Sequence, residues 1–304
     1  MTLTLATARA LLDTPPTPPV PGQLTTNQEQ HMKSPVPYFG AKGRTAPWIV
    51  SVLPPHQHYV EPYCGGLSVL LAKTPSAMET VNDLDGELMH FWRVLRDRPA
   101  ELIRACALTP HSREELAATW EPTTDDLELA RRIWCRLAQG RSGTLRNTGW
   151  RYYIDPAGST LGMPDYMAAY VDRLAAAAER LRRVSLESMP ALDLIAKYGQ
   201  QEDVLLYVDP PYLGTTRGWG NNYRVEMKDE TSHRELAAAL ADCKAAVVLS
   251  GYDSPLYDEL YDGWHRADHQ TMTGNAKTAK DRTEVLWSNR VLAGRLSLFD
   301  DDAA

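Results

Sequence analysis

Residues 59–83 constrain the fold of this chain more than any other segment. They contain, in order, a short strand, a glycine turn, a helical segment, a second strand and an acidic end, at residues 59–63, 64–66, 67–73, 79–81 and 82–83. A strand, a glycine turn, a helix and a strand that ends in an acid form one βαβ unit. Two strands joined in this way lie parallel in one sheet, so we predict an α/β fold.

The rest of the chain continues the α/β pattern after a long helical interruption. Residues 86–183 are mostly helical by periodicity, apart from a Gly-, Ser-, Thr- and Arg-rich stretch at 139–163. Further strands are predicted at 184–186, 204–208, 246–250, 265–272 and 283–288, with helices at 191–198, 231–243 and 254–262. We expect a mostly parallel sheet with a helical insert and a final antiparallel hairpin.

These patterns divide the chain into four parts. Residues 1–33 are rich in proline and then in Gln, Thr and Asn, so we expect a disordered tail. Met32 immediately precedes the first motif, and a functional chain could begin there. We expect a catalytic domain from residues 34–85 and 184–295, a helical insert at 86–183 and a short tail at 296–304.

The composition excludes several classes of protein. No apolar run is long enough to span a bilayer, and no secretory signal is evident at the N-terminus. Four cysteines form neither a CxxC pair nor a Cys/His cluster, so we expect reduced thiols, no metal site and a cytoplasmic protein: Cys64, Cys106, Cys135 and Cys243. The net charge of −7 disfavours nucleic acid weakly, but arginines concentrate at 131–151 and 173–183, which leaves a local basic face possible.

The strongest chemical signal is Asp209-Pro210-Pro211-Tyr212, directly after the apolar strand at 204–208. Open α/β sheets bind ligands at the carboxyl ends of their strands. A carboxylate beside a rigid proline carbonyl can accept hydrogen bonds from an amino group and draw its lone pair out of the ring. Tyr212 offers a flat face for a base that has left its helix. The alternative is an ordinary turn that ends a strand.

This motif resembles the catalytic motif of amino-directed DNA methyltransferases, and an aspartate in first place is similar to the adenine-directed enzymes. The order of motifs resembles the Dam-like, D12 class N6-adenine methyltransferases. The resemblance implies a Rossmann-like S-adenosylmethionine-dependent fold with an inserted target-recognition domain. It also implies methylation of adenine N6 in double-stranded DNA, with base flipping, in a bacterial or phage setting such as restriction-modification. Asp209, Pro210, Pro211 and Tyr212 would be the catalytic residues.

The same resemblance implies which residues hold S-adenosylmethionine. Tyr38 and Lys42 lie in a loop similar to the family's N-terminal motif and would contact S-adenosylmethionine. Without the resemblance, Lys42 would be interpreted as a solvated surface lysine. The full set implied is Tyr38, Lys42, Glu61, Tyr63, Gly65, Asp83 and Asp209. Asp83 would bind the ribose, with helix capping as the alternative, and Asp85 is the weaker candidate. The chain departs from the family at Leu67, where relatives carry a glycine, and at Pro190, where they carry an acid.

Residues that would contact DNA lie in the helical insert. Six arginines occur between 131 and 151 with aromatic and amide side chains among them, and such residues bind phosphates and bases. The predicted DNA-contacting residues are Arg136, Arg141, Arg146, Asn147, Arg151 and Tyr152. The alternative is a solvated helix face followed by a surface loop.

The C-terminal tail contains Arg295-Leu296-Ser297-Leu298-Phe299, which resembles peptides that dock in bacterial sliding clamps. Arginine stands where those peptides carry glutamine. The alternative is a chain end with its apolar side buried. The resemblance implies a sliding clamp as a second partner, which would bind residues Leu296–Phe299.

Several other activities remain open from the residues alone. The same type of site could methylate cytosine N4, an RNA adenine or a protein amide. A nicotinamide-dependent dehydrogenase is disfavoured because the chain has no GxGxxG sequence. A DNA-binding relative with an inactive cofactor pocket is a third alternative, suggested by Leu67 and Pro190.

Overall fold

The computed structural model describes residues 31–154, 158, 161–212, 227, 229–271 and 282–293. Most of the predicted N-terminal tail, Met272 and the 296–304 tail lie outside these ranges. The strands are β1 (His58–Glu61), β2 (Met78–Asn82), β3 (Ser185–Glu187), β4 (Val204–Val208), β5 (Ala246–Tyr252), β6 (His265–Thr271) and β7 (Arg282–Ser288). The helices are α1 (Ala46–Val52), α2 (Ser68–Ala72), α3 (Gly86–Asp97), α4 (Pro99–Ala107), α5 (Arg113–Ala118), α6 (Asp126–Gln139), α7 (Met163–Leu181), α8 (Ala191–Tyr198), α9 (Glu230–Ala241) and α10 (Pro255–Leu260).

The seven strands form one sheet in the order β3-β2-β1-β4-β5-β7-β6. The first five in this order are parallel, whereas β7 runs antiparallel to both β5 and β6. The predicted sheet with a terminal antiparallel hairpin is therefore confirmed. The chain moves outward from β1 through β2 to β3 and then returns to place β4 on the other side of β1. Ligands bind at such a switch point, beyond the carboxyl ends of the two central strands.

Alternate residues of the central strands face two hydrophobic clusters, one on each side of the sheet. Tyr59, Leu205 and Tyr207 pack in one cluster with helices α3, α6 and α7. Val60 and Leu206 pack in the other with α8, α9 and α10. A parallel strand covered on both faces must be apolar throughout, which is why every residue of β4 is buried.

The helical segment 86–183 shares its core with the sheet. Leu88, Ile133 and Leu174, from α3, α6 and α7, belong to the same buried cluster as Tyr59 of β1. The helices predicted as an insert thus cover one face of the sheet among the described residues. Their assignment as a target-recognition domain stays a prediction.

Short polar side chains fix where several helices begin. Asp85 precedes α3 and accepts hydrogen bonds from the backbone amides of Glu87 and Leu88. The helices α5, α6, α9 and α10 are capped in the same way by Ser112, Asp125, Asp229 and Ser254. Such caps satisfy amides that a helix leaves unpaired and stabilise it by about 1 kcal/mol each.

Among the described residues, no helix is both long and apolar enough to cross a bilayer.

A buried ionic cluster joins the sheet to α7. The Glu79 carboxylate on β2 accepts hydrogen bonds from Lys73 Nζ at 2.7 Å and from Arg180 Nη2 at 2.7 Å. Burial raises the pKa of Glu79, but the bonds from Arg180 and Lys73 outweigh it, so the pKa falls below its ordinary value. Burial also lowers the pKa of Lys73, but lysine titrates far above the range in which Glu79 is protonated.

Replacing Glu79 with glutamine should destabilise the fold by about 3–5 kcal/mol, because it leaves two buried cations with a neutral partner. Since the native pKa of Glu79 is depressed, its contribution is present above the unfolded pKa and is lost as the pH falls below it. Urea unfolding of Glu79→Gln at neutral and acidic pH would measure both effects. The matched control is Glu179→Gln, which removes an exposed pair with Arg182 and should cost less than about 1 kcal/mol. Equal costs for the two variants would contradict this account.

Candidate active site

A pocket of about 240 Å³ opens at the switch point between β1 and β4. Every residue that the sequence assigned to the cofactor lines it, namely Tyr38, Lys42, Glu61, Tyr63, Gly65, Asp83 and Asp209. Pro211 lies in its wall as well. The structure thus brings together four segments of the chain: the loop at residues 38–42 and the segments at the carboxyl ends of β1, β2 and β4, which are neighbouring strands of the same sheet.

The glycine turn after β1 lies directly against the ring of Tyr38. Gly65 has a φ of +45°, and a Cβ atom placed on it would stand 2.9 Å from Tyr38 Cε1. A Cβ atom on Gly66 would stand 3.0 Å from Tyr38 Cβ. Only glycine allows this approach without moving the tyrosine, so the turn and the ring together form one wall of the pocket.

Leu67, the departure from the family's glycine, adopts the left-handed conformation with a φ of 58°. The backbone of the turn therefore keeps the shape that favours glycine although the residue is leucine. The side chain is fully buried in the core of the sheet. Burial of a leucine stabilises by about 1.5–3 kcal/mol, which offsets a strain of about 1–3 kcal/mol.

The acids after β2 have different roles. Asp83 accepts hydrogen bonds from the amides of Gly65 at 3.0 Å and Asp85 at 2.9 Å, and it faces the pocket. Burial raises the pKa of Asp83 to about 6, although these two bonds lower it. Asp85 is the N-cap of α3, so the capping alternative applies to Asp85.

Asn82 links the loops around the pocket, a role that the sequence did not reveal. Its amide nitrogen donates to the carbonyls of Pro62 at 2.9 Å and Met189 at 3.0 Å. Its amide oxygen accepts from the backbone amide of Met189 at 2.9 Å. Asn82 therefore fixes the ends of β1, β2 and β3 relative to one another. Pro190, at the place of the family's acid, follows this link and lines the pocket.

Glu61 and Tyr63 lie at the carboxyl end of β1 and line the pocket. The Glu61 carboxylate accepts a hydrogen bond from Tyr59 Oη at 3.0 Å. Burial raises the pKa of Glu61 well above its ordinary value. Tyr63 Oη donates to Met227 Sδ at 3.4 Å, and burial raises the pKa of its hydroxyl. Glu61 is therefore, after Asp83, a second carboxyl group in the pocket whose pKa is raised by burial.

Asp209, at the end of β4, faces an ammonium ion. Lys42 Nζ lies 3.1 Å from Asp209 Oδ1 and 2.8 Å from Glu284 Oε1. Burial disfavours the charged lysine, but the two carboxylates outweigh it and raise the pKa of Lys42. The pKa of Asp209 is raised to about 6. Burial is the largest cause and Glu284 adds to it, whereas the Lys42 ammonium ion lowers this pKa.

Tyr212 closes the same group of side chains. Its hydroxyl donates to Glu284 Oε1 at 2.7 Å and accepts a hydrogen bond from Lys42 Nζ. The ring meets Tyr252 edge-on, with centroids 4.5 Å apart and planes at 70°. Lys42 Nζ lies 4.5 Å from the centre of the Tyr212 ring. The hydroxyl is therefore anchored, which fixes the position of the aromatic face beside Asp209.

Comparison with known proteins finds relatives of this chain among DNA methyltransferases. Residues 38–137 match the family model of the D12 class N6 adenine-specific DNA methyltransferases. The chain is therefore similar to this family over about a third of its length, in the segment that contains Tyr38, Lys42, the glycine turn and Asp83. It is also 25% identical over 273 residues to the Type II methyltransferase M1.LlaDCHI of Lactococcus lactis subsp. cremoris, a match that covers 83% of this chain and 93% of that protein. The predicted resemblance to this family, the enzyme class and the adenine specificity are confirmed.

Two solved structures resemble the fold only distantly. A precorrin 8W decarboxylase of Methanobacterium thermoautotrophicum gives a TM-score of 0.34 at 9% identity, over 85% of this chain and 95% of that one. A SAM-dependent methyltransferase of Agrobacterium tumefaciens gives 0.35 at 8% identity, over 81% of this chain and 60% of that one. The Rossmann-like assignment of this methyltransferase depends on its own strand order and switch point.

One predicted DNA contact of the methyltransferase is wrong. Arg136 on α6 is buried, and its guanidinium group binds the Glu87 carboxylate at 2.9 Å and the Thr119 carbonyl. The same group lies 4.4 Å above the centre of the Trp120 ring. A guanidinium group engaged in this way holds helices together and does not face DNA. The sequence could not distinguish the buried face of α6 from its exposed face at this position.

The other predicted DNA contacts lie on or beside an exposed hairpin. Gly140 and Trp150 form an antiparallel bridge, and Arg141, Arg146 and Asn147 are exposed between them. Arg151 is half-buried, and its guanidinium group donates to the Ala138 carbonyl at 2.9 Å. Tyr152 is 41% exposed and stacks on Trp150. Their contact with DNA stays a prediction.

Sequence reasoning missed Glu284 of the methyltransferase. The sequence predicted only a strand at 283–288, yet the Glu284 carboxylate contacts Lys42, Tyr212 and Ser250. A signal existed in the alternation of β7, where Glu284 lies on the same face as Leu286, a core residue. An acid at a core-facing position needs partners, which indicates a functional or structural network.

Proposed function

We propose that this methyltransferase transfers a methyl group from S-adenosylmethionine to the N6 amine of a specific adenine in double-stranded DNA. The observation that carries the proposal is the half-buried Asp209 carboxylate, followed by two prolines, in the wall of the pocket at the switch point. S-adenosylmethionine supplies an electrophilic methyl group on a positively charged sulfur.

Asp209 and the Pro210 carbonyl would accept hydrogen bonds from the two hydrogens of the adenine amine. These acceptors localise the nitrogen lone pair, which then forms the new N–C bond while the C–S bond breaks and its electron pair stays on sulfur. The amine loses its surplus proton to Asp209 and then to water. Pro211 keeps the backbone rigid, so that the acceptors need no reorganisation during the reaction.

The residues of the pocket fit S-adenosylmethionine. Asp83 offers a carboxylate for ribose hydroxyls, and the glycine turn offers close backbone approach beside the aromatic ring of Tyr38. Two large apolar side chains that are partly exposed, Leu84 and Leu192, provide a surface for an adenine ring. Glu61 and Tyr63 remain candidates for the methionine end. An ionic contact from Lys42 to the methionine carboxylate would compete with the contacts of its ammonium ion to Asp209 and Glu284.

The target base must leave the helix to reach Asp209, because its amine is paired inside duplex DNA. We expect the flipped adenine to stack on Tyr212. The exposed hairpin between Gly140 and Trp150 is our candidate for the contact with the duplex. The similarity to a Type II methyltransferase supports a place in restriction-modification.

Purified protein, duplex DNA and methyl-labelled S-adenosylmethionine test the proposal. After digestion, mass spectrometry should find the label in N6-methyladenine. Label in N4-methylcytosine, in RNA or in tryptic peptides would contradict the assignment of substrate. No transfer at all, with the cofactor bound, would favour an inactive DNA-binding relative.

Segment 295–299 lies outside the described residues, so sliding-clamp binding stays a prediction that calorimetry of a Leu296–Phe299 deletion would test.

Replacing Arg146 with alanine should weaken DNA binding several-fold without changing the preferred sequence, if this exposed residue binds a phosphate. The slope of log affinity against log salt concentration should fall by about 1, since one contact to the backbone is lost. Fluorescence anisotropy over a salt series measures both quantities. Arg234→Ala, which removes an exposed arginine paired with Glu259 outside both arginine-rich segments, is the control and should leave the slope unchanged. An unchanged slope for Arg146→Ala would remove this residue from the DNA surface.

A further inference from the structure

Glu284 is a buried carboxylate that the mechanism above does not use. It lies on β7, is 5% exposed and is not among the residues that line the pocket. Its Oε1 atom lies 2.8 Å from Lys42 Nζ and accepts hydrogen bonds from Tyr212 Oη and Ser250 Oγ, each at 2.7 Å. A buried carboxylate with three partners beside a catalytic aspartate requires an explanation, because burying a charge is costly.

We propose that Glu284 is a positioning residue for methyl transfer: it holds the Lys42 ammonium ion and thereby leaves the Asp209 carboxylate available to the substrate amine. The inference rests on the proposed function. It adds a residue from the antiparallel strand β7, which is 72 residues away in sequence from Tyr212.

The distances support a shared cation. Lys42 Nζ is closer to Glu284 than to Asp209, at 2.8 Å against 3.1 Å, so the ammonium ion lies between two carboxylates and belongs fully to neither. In a buried site an ion pair is much stronger than in water. Without Glu284, Lys42 would have only the Asp209 carboxylate as its ionic partner, and the substrate amine would have to displace it.

The charge balance supports the same role. One ammonium ion and two carboxylates carry a net charge of −1 when all three are ionised, and of the two carboxylates Asp209 is the one that lines the pocket. During transfer, positive charge moves from sulfur to the amine nitrogen, which is next to Asp209. A site that is negative before the reaction stabilises this charge, whereas a neutral Lys42–Asp209 pair does so less.

The full-length Glu284→Gln variant tests the proposal because glutamine has nearly the same shape and no charge. We expect kcat for methyl transfer to fall by about 100-fold, as for other losses of positioning. The KM for S-adenosylmethionine should stay within about two-fold, because Glu284 does not line the pocket. The matched control is Asp268→Asn, which removes an exposed carboxylate from the adjacent strand β6 and should stay within about three-fold of wild type.

A pH profile provides the readout that a merely structural role would not change. Lys42, Glu61, Tyr207, Tyr212 and Glu284 are the titratable groups that interact with Asp209. Among them Glu284 raises the pKa of Asp209. Its replacement by glutamine should therefore move the acidic limb of the kcat profile to lower pH, even while kcat itself falls.

Two outcomes would overturn the proposal: a kcat of Glu284→Gln close to that of wild type, or an acidic limb that does not move. If Glu284→Gln does not fold, Glu284→Asp decides, since it keeps the charge on a shorter side chain. We expect a reduced kcat with an unchanged limb, and a folded Glu284→Asp variant with wild-type kcat would overturn the positioning role. A wild-type enzyme that transfers no methyl group to adenine would instead refute the proposed function itself.

Discussion

Replacing Asp209 with asparagine should reduce methyl transfer by about 1,000-fold or more while the protein remains folded and binds its cofactor. The amide oxygen is a weaker acceptor than a carboxylate, and the amide nitrogen would place hydrogens beside the Lys42 ammonium ion, which lies 3.1 Å from Asp209 Oδ1. Loss of one group that stabilises charge in a transition state typically costs about 100- to 1,000-fold in rate. Asp209 also accepts the surplus proton of the amine, so the loss of methyl-transfer rate should lie at the upper end of this range.

The measurement is single-turnover transfer of labelled methyl groups to duplex DNA, with cofactor binding by calorimetry on the same preparation. Asp262→Asn, in an exposed loop before β6, is the matched control and should retain wild-type activity. Because the pKa of Asp209 is about 6, wild-type activity should be present above that pH and should decline as the pH falls through it. Wild-type rates in Asp209→Asn would contradict the account.

Replacing Gly65 with alanine should raise the dissociation constant for S-adenosylmethionine at least 10-fold. The new Cβ atom would stand 2.9 Å from Tyr38 Cε1, and the backbone has a φ of +45°. A left-handed alanine costs about 1–3 kcal/mol, and every 1.4 kcal/mol is a factor of ten in affinity if the turn relaxes away from its binding shape. The Tyr38 ring must also move out of the pocket wall.

Gly43→Ala is the control for this substitution, because Gly43 belongs to the same loop as Tyr38 but has no heavy atom within 4 Å of an added Cβ. Its φ is not in the left-handed region. Calorimetry should find wild-type affinity for Gly43→Ala and weak binding for Gly65→Ala. Equal affinities for the two variants would show that the glycine turn does not contact the cofactor.

Much of this fold follows from the sequence because motif and strand direction are linked. The pattern of a strand, a glycine turn, a helix and an acid at residues 59–83 required parallel pairing, and β1 does pair parallel with β2. Residues placed after parallel strands meet at one edge of the sheet. The resemblance to the methyltransferase family implied that Gly65, Asp83 and Asp209 share one site, and this strand direction is the physical reason that all three line one pocket.

The sequence failed where packing decides the role of a residue. Arg136 belongs to a helix with arginines on several sides, and only the tertiary structure places it against Glu87 and Trp120. Leu67 keeps the left-handed turn of a glycine because its side chain is buried, a compensation that local propensity does not reveal. Glu284 reaches Lys42 only because β7 is inserted between β5 and β6 in the sheet.

The most direct test of the central claim is long-read sequencing of DNA from cells that express either the wild-type protein or Asp209→Asn at equal levels. We expect modified adenines in one recurring sequence context in DNA from the wild type, and no modification there in DNA from the variant. Unmodified DNA in both cases, modified cytosines, or adenine modification that persists with Asp209→Asn would contradict the assignment of Asp209 as the acceptor for the adenine amine.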